Sequence, residues 1–150
     1  MKSIILTVLF AIFSIANAVC QIYNPVKWSF ASKRLNHNGA VIFFKANISN
    51  GWYIYGLNVP AGGPSSTTII LNPGKDFTLN SAPQGPKAKT KYESVFKLNI
   101  PYHIGEVVFQ QKIKLNSKKA TTVSGKISFM TCNNETCLPQ DEQAFLVTIN

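Results

Sequence analysis

Cys132 and Cys137 carry the chemistry that this sequence has the most means to perform. They stand in Phe129-Met130-Thr131-Cys132-Asn133-Asn134-Glu135-Thr136-Cys137-Leu138-Pro139-Gln140, a C-x4-C spacing across a polar turn. Intervening residues that fold back as a hairpin bring the two Cα atoms to the roughly 5 to 6 Å that a disulfide requires, so an intrachain bond is expected. Two readings of that bond stand side by side. As a stabilising clip over a loop of about six residues it is worth only about 2 kcal/mol on chain-entropy grounds, less than a longer loop would give. Dithiol exchange instead asks for solvent access, which the Asn and Thr neighbours suggest, and for a second thiol near enough to resolve a mixed disulfide. Residue types alone leave these readings evenly matched. Copper(I) suits two thiolates with Met130, but no His or Met cluster supports it.

Other chemistry is thinly supplied. His37 and His103 are the two histidines, both beside turn residues and both expected at the surface. The six acids are dispersed, and neither a glycine-rich phosphate loop nor a nucleophile elbow is present. A zinc site needs three or four ligands of the right type, so no metal and no cofactor is expected. Trp28 and Trp52 read as core or sheet-face packing. Lys87, Lys89, Lys91, Lys112, Lys114, Lys118 and Lys119 form basic stretches that suit acidic partners or membrane surfaces, but their alternation with apolar residues reads as a solvated strand face. These stretches lack interleaved aromatics, so no nucleic-acid partner is expected. Asn47-Ile48-Ser49 and Asn134-Glu135-Thr136 match the short glycosylation pattern, which has meaning only in a eukaryotic secretory route.

The elements that must position the cysteines belong to an exported chain of 150 residues with formal net charge +9 and 45% hydrophobic residues. Lys2, the apolar stretch Ile4 to Ile15 and the small residues Ala16 and Ala18 read as a signal peptide. Cleavage after Ala18 leaves three cysteines and cleavage after Cys20 leaves two that can pair; the second is preferred, giving a signal over residues 1–20 and a domain over residues 21–150. Asn17 and Val19 are poor neighbours for a lipid anchor on Cys20. Beyond the signal the longest clean apolar run is Ala40 to Phe44, far short of the roughly 20 residues that cross a bilayer, so no transmembrane segment is expected in the mature chain. A domain of this length can fold without a disulfide.

Alternation of period two marks strands over Val26 to Ser32, Ala40 to Ile48, Trp52 to Leu57, Thr67 to Leu71, Phe77 to Asn80, Val95 to Ile100, Val107 to Leu115, Val123 to Met130 and Ala144 to Ile149. Ser81 to Lys91 reads as a long polar loop of the kind that often lines a site. No stretch sustains a helical period. The expected fold is all-β, a single immunoglobulin-like antiparallel β-sandwich.

The stretch Phe129 to Pro139, an apolar strand followed by two close cysteines and Leu-Pro, resembles the amino-terminal periplasmic domain of the thiol:disulfide interchange protein DsbD. Asn24-Pro25-Val26-Lys27-Trp28 and Gly51-Trp52-Tyr53-Ile54-Tyr55 look like that family's early segments, so the resemblance runs over the mature chain. It implies an immunoglobulin-like domain whose cysteines take electrons from a thioredoxin-like domain, and so from a membrane thiol reductant, and pass them to exported thioredoxin-fold proteins. On that analogy Cys137 meets the partner and Cys132 resolves. Family members commonly have an aromatic and two prolines after the second cysteine, where this chain has Leu138-Pro139-Gln140. They also shield the disulfide with an aromatic on a cap loop. The corresponding segment, roughly Gly85 to Tyr92, offers only Tyr92 for that task, and without it the pair is less protected. A complete interchange protein has a membrane conduit and a thioredoxin-like domain. This sequence holds neither, so the chain is expected to draw its electrons from another polypeptide or to serve as an adaptor.

Overall fold

The structure, a computed structural model, describes residues 24–150. The expected signal over residues 1–20, with Cys20, lies outside the described residues. Eleven strands follow one another among those described: β1 (Val26–Asn36), β2 (Gly39–Ile48), β3 (Tyr53–Tyr55), β4 (Thr68–Leu71), β5 (Phe77–Leu79), β6 (Lys89–Glu93), β7 (Leu98–His103), β8 (Glu106–Leu115), β9 (Thr121–Phe129), β10 (Thr131–Cys132) and β11 (Asp141–Ile149). No helix among the described residues is long and apolar enough to cross a membrane.

Neighbouring strands pair antiparallel in three sheets, ordered β1-β2-β8-β5, β11-β9-β4 and β10-β3-β7-β6. Period-two sequence makes the first two into layers of an immunoglobulin-like β-sandwich. Val107, Phe109, Gln111, Ile113 and Leu115 of β8 turn inward while Glu106, Val108, Lys112 and Lys114 stay exposed. Opposite them, β9 and β11 send in Val123, Ile127, Phe129, Phe145, Val147 and Ile149, and all join one core with Ala40, Ile42 and Phe44 of β2. The Phe44 and Phe145 rings meet edge to face at 4.9 Å. Burying each such large side chain contributes about 1.5–3 kcal/mol, so this core dominates stability. Trp28 packs on it from its edge, with its ring 5.4 Å from Phe129, as expected of a core-facing tryptophan. At the seam of the two layers side chains replace the backbone ladder: Ser32 Oγ donates to the Thr148 carbonyl at 2.7 Å and Arg34 Nε to the Asn150 carbonyl at 2.8 Å.

The third sheet positions the cysteines. Only Met130 separates β9 from β10, so one run of chain leaves the main sandwich and enters the small sheet, where Cys132 registers with Tyr53. A separate apolar cluster of Tyr53, Tyr55, Ile100 and Cys132 forms there.

Three expectations need correction. The loop read over Ser81 to Lys91 ends early, because β6 starts at Lys89 and pairs with β7 through Thr90↔Pro101 and Lys91↔Ile100. The strand read over Val95 to Ile100 is instead a hairpin tip followed by β7, which begins at Leu98; Val95 and Phe96 are apolar but exposed. His103 is buried, at 7% exposure, with its ring edge-on to Phe109 at 5.3 Å, because it occupies an inward position of β7. His37 lies at the surface as expected.

Burial holds the His103 pKa below the ordinary value, since the imidazolium form would lose its water. A depressed histidine contributes stability that is present above its unfolded pKa, about 6.5, and is lost as the pH falls toward its folded pKa. The urea midpoint is therefore expected to drop between pH 7 and pH 5, and His103→Gln to flatten that drop. An unchanged slope in the variant would assign the acid sensitivity to other groups.

Candidate active site

The cysteine hairpin is built by its own polar residues. Asn133 Oδ1 accepts from the backbone N–H of Glu135 at 2.8 Å and of Thr136 at 2.7 Å, an Asx turn that folds the chain back. Asn133 N–H then donates to the Thr136 carbonyl, and Leu138 N–H to the Thr131 carbonyl, each at 2.9 Å. These bonds flank Cys132 and Cys137, which face each other as a non-hydrogen-bonded antiparallel pair, the arrangement that brings side chains closest. Their Cα atoms are 4.0 Å apart and a disulfide joins them.

The two ends of that bond live in different surroundings. Cys132 is 0% exposed, whereas Cys137 is exposed and lines an open recess of about 470 Å³. Around the recess stand Tyr53, Tyr55, Lys91, Glu93, Val95 and Phe96. Strand alternation explains the grouping: Tyr53 and Tyr55 are two apart on β3, and Lys91 and Glu93 two apart on β6, so each pair shares a face. A second recess of about 370 Å³ shares Tyr53, Lys91 and Asn134 with the first and continues to Trp52 and Tyr102.

Polar contacts connect these side chains to the buried sulfur. Tyr55 Oη lies 3.7 Å from Cys132 Sγ and 3.4 Å from Glu93 Oε1. Lys91 Nζ pairs with Glu93 Oε1 at 2.7 Å and sits 3.7 Å over the Tyr53 ring. The Tyr55 phenol is held well above the ordinary tyrosine range, first by burial and then by Tyr53 and the Glu93 carboxylate. Burial opposes the Lys91 charge, yet Glu93 and Tyr53 together outweigh it and leave its pKa raised.

Val95 and Phe96 are carried by the tight turn between β6 and β7. Phe96 N–H donates to the Glu93 carbonyl at 3.2 Å, and Lys97 follows with φ +54°, a left-handed conformation that closes the hairpin. Val95 is 85% exposed and Phe96 37%. Tyr92, named from sequence as the shielding residue, lies on the face of β6 opposite Lys91 and Glu93, is 63% exposed, and does not line the recess. The structure brings Cys132 and Cys137 together, and it sets Val95 and Phe96 at the recess that Cys137 lines. Sequence reading did not single out Tyr55, Lys91, Glu93, Val95 or Phe96 as site residues. An apolar pair set between Ser94 and Lys97, at the tip of what the pattern reads as a strand start, was the available signal for the last two.

Comparison with known proteins agrees with this geometry. The family model for the N-terminal part of the thiol:disulfide interchange protein DsbD matches residues 24–149. Among solved structures, the N-terminal periplasmic domain of ScsB from Proteus mirabilis matches at 16% identity and a TM-score of 0.59, covering 84% of this chain and 47% of that one. The chain thus spans about half the length of that ScsB structure. A second match, at 14% identity and a TM-score of 0.52, comes from the complex between the DsbD N-terminal and the PilB N-terminal domains from Neisseria meningitidis, covering 84% of this chain and 87% of that one. At such identities these structures establish the shared fold. No curated protein matches the sequence.

Proposed function

This chain belongs to the family of DsbD N-terminal domains, and from that premise we propose that it is an exported thiol:disulfide interchange domain in which Cys132 and Cys137 cycle between disulfide and dithiol. Its partners are thioredoxin-fold proteins, with a membrane thiol reductant as the ultimate electron source. The observation that carries the reading is the unequal setting of the two sulfurs, one buried at 0% exposure and one exposed in an open recess. A clip gains nothing from such an opening, whereas exchange needs one sulfur that a partner can reach.

The steps follow from that asymmetry. A partner thiolate attacks Cys137 Sγ, the Cys132–Cys137 bond breaks, and its electron pair passes to Cys132 Sγ. The partner's second thiolate then attacks its own sulfur in the mixed disulfide and releases Cys137 as a thiolate. Two electrons have left the partner dithiol, which is now a disulfide, and the pair is reduced. Electron donation to the next partner runs the same steps backwards. Val95 and Phe96 stand at the rim of the approach to Cys137 and must give way to a docking protein.

The test is the equilibrium reduction potential of the pair, by thiol counting in redox buffers of known poise. A value between about −180 and −270 mV is expected for an exchange-active pair. A value below about −300 mV, with thiols inaccessible until the protein unfolds, would mark a structural disulfide and overturn the reading.

A further inference from the structure

Opening the disulfide at Cys137 leaves a negative charge on Cys132 Sγ, in a residue with 0% of its surface exposed. A thiolate away from water is costly unless a donor faces it. The Tyr55 hydroxyl is in position, with Oη 3.7 Å from Cys132 Sγ and 3.4 Å from Glu93 Oε1. A phenol has one proton to donate, so the sulfur and the carboxylate compete for it. Lys91 bears on that competition because its Nζ lies 2.7 Å from the same Glu93 oxygen.

We propose that Tyr55 donates the hydrogen bond that stabilises the Cys132 thiolate as it leaves, and that Lys91 is a positioning residue which, by pairing with Glu93, frees the Tyr55 proton for the sulfur. This inference rests on the exchange reading above. The partner thiolate bonds to Cys137 Sγ and the Cys132–Cys137 electron pair moves to Cys132. Tyr55 shifts its hydrogen bond from Glu93 to that sulfur and remains a phenol, so no proton changes owner. Solvent protonates Cys132 once the dithiol is formed. In the opposite direction the same bond keeps Cys132 ionised as the resolving nucleophile. Burial, Tyr53 and Glu93 all keep the Tyr55 phenol protonated, as a donor must be.

In the full chain carrying Cys20→Ser and Cys137→Ser, Cys132 is the remaining cysteine, and its pKa is read from the pH dependence of its reaction with a small alkylating reagent. Tyr55→Phe is expected to raise that pKa by about one unit or more, the loss of a hydrogen bond to a charged group. Lys91→Met, which removes the charge but keeps an unbranched side chain, is expected to raise it as well, and Glu93→Gln to lower it. A direct charge effect would give Glu93→Gln the same shift with or without Tyr55; competition for the phenol predicts that most of the shift vanishes in the Tyr55→Phe background. With both cysteines restored, Tyr55→Phe is expected to slow opening by dithiothreitol about tenfold to a hundredfold. Circular dichroism and the urea midpoint confirm that these variants fold. A Cys132 pKa unmoved by Tyr55→Phe, or a Glu93→Gln shift that survives it, overturns the proposal even if the pair exchanges normally. A pair that never exchanges, whatever the pKa shifts, overturns the exchange reading and with it the catalytic role of Tyr55.

Discussion

Cys132→Ser is expected to capture partners covalently and fast, while Cys137→Ser is expected to capture them far more slowly. Neither variant can turn over, because a two-electron exchange needs both sulfurs. What separates them is access. Cys132→Ser leaves the exposed Cys137 as a lone thiol beside an open recess, with nothing to expel a partner once a mixed disulfide has formed. Cys137→Ser leaves a thiol with 0% exposure under Tyr55. The measurement uses a thioredoxin-fold partner that keeps only its attacking cysteine, activated as a mixed disulfide with thionitrobenzoate, whose release is followed by colour. The Cys137 thiol should react on the order of a hundredfold faster than the Cys132 thiol, in line with the dependence of thiol reactivity on access. Both proteins should stay folded, since closing a loop of about six residues contributes only about 2 kcal/mol and most of the main core lies in the other two sheets. Equal rates for the two variants would remove the assignment of roles, and a faster Cys132 thiol would reverse it. Unfolding of both would identify the bond as a clip.

The sandwich was legible in the sequence because its strands obey a period of two with one wet face. Val107 to Leu115 alternates inside and outside almost without exception, and so does the second half of β11. The hairpin of the cysteines was legible too, since Asn133 and the polar residues after it announce a turn between two half-sites of a bond. Local pattern does not say which strands meet in space, and the rest of the site depends on that. Lys91 read as one more solvated lysine, because the tyrosine ring beneath it comes from β3, two strands away in the sheet, although the glutamate that pairs with it stands two residues along the same strand. His103 read as a surface residue from its Gly105 neighbour, yet β7 turns it toward Phe109. Val95 and Phe96 broke the rule that apolar β-formers sit inside strands; they are exposed on a turn at the rim of the recess. Local rules are expected to fail first where a site needs apolar residues in the open.

Gly125→Ala is expected to destabilise the protein by about 3 kcal/mol, lowering Tm by roughly 10 °C for a domain of this size, and yet to leave the reduction potential of the cysteine pair where it was. Gly125 lies mid-β9, registered with Phe145 on β11 and Leu71 on β4. A methyl group there would press into the Ile70 carbonyl oxygen and stand 2.7 Å from Phe145 Cζ. That carbonyl belongs to β4 and cannot swing aside as a flexible side chain could. Relief requires β4 to part from β9 or Phe145 to withdraw from Phe44 and Phe30, whose rings lie 4.9 and 5.6 Å away. Either response damages the core that holds the two layers together. Cys132, though carried by the same run of chain, packs beyond Met130 with Tyr53, Tyr55 and Ile100 in the separate small cluster. The potential depends on the difference in stability that the fold confers on disulfide and dithiol, and contacts absent from that cluster cancel in the difference. Thermal unfolding and thiol counting well below the transition measure the two quantities on one sample. A shift of about 30 mV, equivalent to about 1.4 kcal/mol, would mean that strain in the sandwich reaches the sulfurs through β9, and that stability and redox poise are coupled in this fold.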